Sequence, residues 1–170
     1  MKKILLKLML IVAVMCSIAI NPVISRSKAV EETEKYFILC NPKTVLNARS
    51  RPNKRGSVIG YFMCGDSVTV DEHEKNGYCH CPELLFEASE GWVAKGYLVE
   101  DEPIVVEVDA TVVASGRVAC RNKVGGKRIR WLKPGTVVTV YAYSKEWCVT
   151  NRGYIRTEYL EISITTNDSQ

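Results

Sequence analysis

From Phe37 onward the chain is built of short runs in which apolar and polar side chains alternate, each closed by Gly, Pro, Asn or Asp. Phe37–Cys40, Val45–Arg49, Ser57–Phe62, Ser67–Asp71, Tyr78–Cys81 and Gly91–Val93 have the length and punctuation of β-strands. Alternation is strictest at Val68-Thr69-Val70 and Val138-Thr139-Val140, which predicts valines facing a core and threonines facing water. Beyond residue 25 no segment carries an apolar stripe of helical period, so the expected fold class is all-β.

The pattern occurs twice. Gly91-Trp92-Val93-Ala94-Lys95-Gly96-Tyr97-Leu98 recurs as Gly153-Tyr154-Ile155-Arg156-Thr157-Glu158-Tyr159-Leu160, and Ile59–Val70 aligns without a gap on Ile129–Val140. A period of about sixty to seventy residues exceeds a solenoid unit and suits two small barrels in tandem. Gly65 and Gly135 are expected to make the tight turn before a core strand, and Gly91 and Gly153 to sit where backbones approach closely. Glu100-Asp101-Glu102-Pro103 marks the boundary, since proline lacks a ladder donor and three carboxylates resist burial. After it, Ile104–Val108 and Thr111–Val113 read as the opening strands of the second repeat.

The N-terminus changes the setting. Lys2, Lys3 and Lys7 precede a nearly all-apolar run from Leu8 to Ile20 that Pro22 ends, the form of a secretory signal peptide cleaved after Ser25, with Ala19 as the other small-residue site. A retained anchor helix is the competing reading, but the run is shorter than the roughly 20 residues a bilayer needs. The expected organisation is therefore a signal peptide at 1–25, a flexible lead at 26–36, repeats at 37–102 and 103–164, and a tail at 165–170.

Export makes disulfides the expected state of the six cysteines left after cleavage: Cys40, Cys64, Cys79, Cys81, Cys120 and Cys148. Cys120 takes the inward slot that Ala48 fills in the first repeat, and Cys148 lies on the strand expected across that core, which predicts a Cys120–Cys148 bond. Cys79 and Cys81, two apart on one strand, are poor partners for each other. That leaves Cys40–Cys79 with Cys64–Cys81, or Cys40–Cys81 with Cys64–Cys79. A zinc site would draw on Cys79, Cys81 and His73 or His80, but Cys-x-Cys is not the usual structural spacing, so the expectation is no metal and no cofactor.

Charge divides the repeats. Residues 26–103 hold 10 basic and 13 acidic side chains, and residues 104–170 hold 10 and 6. Arg121, Lys123, Lys127, Arg128, Arg130 and Lys133 gather between the first two expected strands of the second repeat, either a solvated loop or a patch facing a polyanion.

Leu46-Asn47-Ala48-Arg49-Ser50-Arg51-Pro52, Val58-Ile59-Gly60, Gly65-Asp66-Ser67-Val68-Thr69-Val70, Gly77-Tyr78, Gly91-Trp92-Val93 and Tyr97-Leu98 together resemble a bacterial SH3-like domain across residues 37–99. Val118-Ala119-Cys120-Arg121, Gly135–Val140, Trp147 and Gly153-Tyr154-Ile155 fall at the same stations, so residues 105–162 are similar to a second such domain, though without the Asn and Pro of the first stretch. The resemblance implies two tandem SH3-like β-barrels in an exported protein. In that family such domains commonly bind cell-wall material and commonly accompany a wall hydrolase.

No hydrolase is legible in this chain. The two histidines, His73 and His80, are too few and too local for a Ser/His/Asp set, and a Cys–His pair would need Cys79 or Cys81 beside a neighbour on one strand. The expected function is a secreted or wall-associated, non-catalytic module that binds peptidoglycan peptide or an anionic wall polymer such as teichoic acid. The alternative is an adaptor or inhibitor acting on another exported protein. The expected contact residues are Tyr61, Tyr78 and Trp92 in the first repeat and Arg128, Arg130, Trp131, Lys133, Tyr143 and Trp147 in the second, as loop-borne aromatics beside cations. Nucleic acid is not an expected partner, because loss of the signal lysines brings the net charge to about +1. A membrane span in the mature form is not expected either.

Overall fold

The computed structural model describes residues 32–84 and 90–162; the expected signal peptide, residues 26–31 of the lead and the tail at 165–170 lie outside the described residues. The fold is all-β, as the alternation predicts. The first lobe contains β1 (Glu34–Ile38), β2 (Leu46–Arg49), β3 (Val58–Phe62), β4 (Ser67–Val70), β5 (Glu74–Lys75), β6 (Tyr78–Cys81), β7 (Gly91–Ala94) and β8 (Leu98–Val99). The second contains β9 (Ile104–Val112), β10 (Val118–Arg121), β11 (Arg128–Leu132), β12 (Val137–Tyr143), β13 (Trp147–Thr150), β14 (Gly153–Arg156) and β15 (Leu160–Ile162). Single 3-10 turns at Lys95–Tyr97 and Thr157–Tyr159 link the last two strands of each lobe. Among the described residues, no helix is long and apolar enough to cross a membrane.

All strand pairs are antiparallel, in sheets ordered β4-β1-β8, β3-β2-β7-β6-β5 and β11-β10-β14-β13-β12-β9-β15. The two lobes repeat each other in register. Asn47 faces Tyr61 as Ala119 faces Trp131, Arg49 faces Trp92 as Arg121 faces Tyr154, and Tyr78 faces Ala94 as Trp147 faces Arg156. Even the bulges coincide, after Ala48 in one lobe and after Cys120 in the other.

Each lobe has its own core. Leu46, Ala48, Val68, Val70 and Val93 are buried in the first, and Val118, Cys120, Val138, Val140 and Ile155 in the second, as the alternation predicts. Gly65 and Gly135 adopt φ of 94° and 77°, left-handed turns that place the strands after them. A Cβ on Gly153 would lie 2.5 Å from the Arg121 carbonyl oxygen, and one on Gly91 would lie 3.2 Å from that of Arg49.

A third cluster joins the lobes. Leu39 and Val99 of the first pack against Ala142, Trp147, Val149 and Tyr154 of the second, and the Tyr154 hydroxyl donates to the Leu39 carbonyl over 3.1 Å. The Val124 amide donates to the Gly96 carbonyl (3.0 Å), and the Lys123 stem lies on Gly96, where a Cβ would have no room. The contact is asymmetric. Leu39 and Val113 hold equivalent places, each donating its amide to the carbonyl of the tyrosine that ends the 3-10 turn, yet Leu39 is fully buried and Val113 is exposed.

Two expected elements differ. The first described strand begins at Glu34 rather than Phe37, because Glu34–Phe37 pair with Val70–Ser67 and so take the end of the expected lead into a sheet. Ile104–Val108 and Thr111–Val112 belong to one strand, which ends before Val113: Val106, Val108, Ala110 and Val112 keep a single inward face, and Asp109 points outward to accept from the Thr139 hydroxyl.

The disulfide expectations are corrected. All six cysteines are free thiols. Strand β14 lies between β10 and β13, so Ile155 separates Cys120 from Cys148 by two strand spacings, about 9.6 Å, beyond the reach of a bond. The Cys120 thiol donates instead to the Arg152 carbonyl, and Cys148 meets the Thr157 hydroxyl. In the first lobe, the Cys40 thiol donates to the Thr44 carbonyl with Cys64 packed against the same core, while Cys79 and Cys81 point into that core from β6, so neither expected pairing forms. The alternation of β6 also puts Tyr78 and His80 on the face opposite both thiols, which separates the groups the cysteine–histidine zinc site needed.

Candidate functional site

Each lobe carries an open groove beside its second strand, built from equivalent residues. In the first lobe, a cavity of about 890 Å³ is lined by Thr44 to Asn47, Arg49, Tyr78, Ala94 and Tyr97. In the second, a cavity of about 520 Å³ is lined by Gly116 to Ala119, Arg121, Trp147, Arg156 and Tyr159. The strand registers make these the same positions of the repeat.

One arginine shapes each groove. Arg49 donates to the carbonyls of Lys54 and Gly56 (3.1 and 2.9 Å), and Arg121 donates to that of Gly126 (2.7 Å). Each thereby holds closed the loop that leads to the next strand, a positioning role that leaves little of the guanidinium for a ligand.

The grooves differ in what surrounds them. The first is completed by the second lobe, which contributes Asn122, Lys123 and Tyr154, so asparagines and tyrosines line it together with the cations Arg49, Lys54 and Lys123. The second is open and cationic: Arg117, Arg121 and Arg156 line it with Trp131, Trp147 and Tyr159. The Arg128 guanidinium stacks 4.5 Å from the Trp131 ring centre, and that of Arg156 stacks 4.7 Å from the Trp147 ring while pairing with Glu146.

The expected contact residues separate accordingly. Tyr78 lines the first groove and Trp131, 49% exposed, lines the second. Tyr61 occupies the station of Trp131 on β3 and is exposed, outside the groove lining. Trp92 packs against His80 with ring centres 5.0 Å apart. Tyr143 packs on the second core. Trp147 is not a loop residue: it lies on β13, 6% exposed, with its body in the cluster between the lobes and an edge in the groove.

The basic loop is likewise only partly a loop. Arg128 and Arg130 stand on β11, an edge strand opposite β10, with Lys133 just past its end, all three exposed. Arg121 and Lys123, which the sequence groups with them, are committed to the loop and to the lobe contact.

Sequence reading also missed a cluster. Asp71, His73 and His80 converge at the corner between β4 and β6, with donor atoms all within 4.8 Å of one another. Asp71 followed a core valine and read as the end of a strand, so nothing local marked it.

Residues 44–99 match the family model of the bacterial SH3 domain. They are a bacterial SH3 domain. The match covers the first groove from Thr44 to Tyr97. The chain is also similar to the solved structures of NlpC1 and NlpC2 from Trichomonas vaginalis, each at 17% identity, with TM-scores of 0.35 and 0.33. These alignments cover 79% and 77% of this chain and 48% of each of theirs, so the chain spans about half the length of those proteins. A comparison with curated proteins finds no match.

Proposed function

We propose that this protein is an exported, non-catalytic module that binds cell-wall material through its two equivalent grooves, the second of them selecting anionic groups. The bacterial SH3 domain at residues 44–99 supports the wall as the setting. The observation that carries the reading is the second groove. An exposed Trp131 stacked under Arg128, beside Arg117 and Arg156, offers a flat apolar surface and fixed positive charge together, which suits a sugar or peptide ring next to a carboxylate or phosphate. The first groove, rich in amides and phenols and spanning both lobes, suits a polar peptide stem.

The test is sedimentation of the mature protein with isolated sacculi, with and without teichoic acid. Replacing Arg128, Arg130 and Lys133 together weakens sedimentation, and added salt reproduces the loss, because exposed charges are screened over about 8 Å at physiological ionic strength. Trp131→Ala weakens it in a way that salt does not reproduce. Binding indifferent to salt and to the triple replacement overturns the anionic reading. Absence of sedimentation by the unaltered protein overturns the wall reading and leaves a partner protein as the ligand.

A further inference from the structure

The two histidines of the chain, His73 and His80, both face one buried carboxylate. Asp71 has a side chain only 1% exposed, although it belongs to a small domain with ample surface for a charged group. Its Oδ2 lies 2.7 Å from His80 Nδ1 and its Oδ1 3.1 Å from His73 Nδ1. The backbone fixes all three. The Asp71 amide donates to the His80 carbonyl (3.2 Å), the His80 amide to the His73 carbonyl (2.9 Å), and the His73 amide to Asp71 Oδ1 (2.9 Å). The Trp92 ring closes one side of His80, and Glu90 stands 3.8 Å from its Nε2.

The fold does not need the two imidazoles. The backbone joins His80 to His73 as it joins Val149 to Ala142 in the second lobe, and there the two positions are apolar and buried between the lobes. The same corner thus folds around Ala142 and Val149, so the two imidazoles in the first lobe answer to something other than folding. Among the described residues no further lobe covers this face of the first lobe, and His73 is 57% exposed.

We propose that Asp71, His73 and His80 form a binding site for a divalent transition-metal ion of the zinc class, held by the two Nδ1 atoms and the Asp71 carboxylate, with a fourth position open to water or to a ligand. Two imidazoles and one carboxylate are a donor set for zinc and its neighbours rather than for calcium or magnesium, which take oxygen. Tetrahedral bonds of about 2.0–2.1 Å place ligand atoms about 3.3 Å apart, which the cluster reaches by small rotations of the rings away from Asp71. In the structure His80 Nδ1 is hydrogen-bonded to Asp71, and His73 Nδ1 lies at ion-pair distance from it. Metal at Nδ1 of His80 requires its proton on Nε2, where Glu90 is placed to accept it, the arrangement in which an outer carboxylate orients a ligating histidine. Glu72 adds negative charge around the corner, while Glu74 is paired with Lys95.

The full mature chain, prepared without a metal-affinity tag and kept reduced, is titrated with zinc by calorimetry and with cobalt by visible absorption. One equivalent of zinc binds and raises the thermal midpoint, a chelator reverses the rise, and magnesium has no effect. Cobalt gives visible bands of a low-coordinate nitrogen and oxygen site without the near-ultraviolet charge-transfer band of thiolate. His73→Gln, at an exposed position that keeps the fold, abolishes the rise, and Glu90→Gln lowers zinc affinity about 10- to 100-fold. Zinc uptake that survives His73→Gln, or a thiolate band with cobalt, assigns the metal to the cysteines and overturns the proposal. A thermal midpoint unmoved by zinc overturns it as well.

Discussion

Removing the Tyr154 hydroxyl tests whether the lobes form one cooperative unit. Tyr154 is buried on β14, lies edge-to-face with Tyr97 at 6.1 Å, and donates to the carbonyl of Leu39, 115 residues away in sequence. Tyr154→Phe keeps the ring and deletes only the donor, leaving a buried carbonyl without it. The cost of an unmet buried partner is about 1–3 kcal/mol, and in a chain of this size each kcal/mol shifts the midpoint by about 2–4 °C. The expected result in urea and thermal unfolding is a loss of about 2 kcal/mol and about 6 °C. Tyr154→Ala also empties the space of the ring, about 3–5 kcal/mol more, and splits the single transition into two as the lobes unfold separately. Tyr159→Phe, at a half-exposed phenol on the last 3-10 turn, serves as the control and changes stability by less than about 0.5 kcal/mol. A Tyr154→Phe protein that matches the unaltered one refutes the reasoning, since the hydroxyl then contributes nothing in the folded state.

The same phenol gives a pH dependence: burial, then the nearby Tyr97, raises its pKa well above the ordinary tyrosine value. A raised folded pKa means full stability below the unfolded value near 10 and progressive loss above it, so the unfolding midpoint falls above pH 10 in the native chain and less steeply in Tyr154→Phe. The close approach of the two thiols lowers the Cys64 pKa to about 7 and raises that of Cys40, so Cys64 alkylates fastest of the six at neutral pH. Oxidation by a disulfide reagent links Cys40 to Cys64 and adds about 3 kcal/mol, read by peptide mapping and urea unfolding; a Cys120–Cys148 link found first contradicts the strand order. Gly153→Ala places a Cβ against the Arg121 carbonyl at a φ of 125° and costs more than about 2 kcal/mol in urea unfolding, whereas an unchanged midpoint shows that the two backbones separate.

Much of this protein was legible in one dimension. Period-two alternation at Val68–Val70 and Val138–Val140 fixes which side of a strand is wet, because successive side chains must point to opposite faces. The glycines of the repeat identify turns and close approaches, because no other residue tolerates them at low cost. Repetition of these local rules showed a duplicated set of strands, while the grooves beside them were not legible. What depends on the order of strands across a sheet was not legible. Cys120 and Cys148 face one core and look like partners until β14 is seen between them. Trp147 looks like a surface anchor until the second lobe docks on Leu39 and takes its ring into the contact. Asp71 and His73 lie in the connection after β4, and His80 on β6 joins them only when β6 turns back along that connection. The sequence by itself determined alternation, turns and repetition, because these follow from the geometry of a residue and its near neighbours. The tertiary structure decided which strands lie side by side, and with that which thiols meet, which aromatics are exposed and which polar groups share one corner.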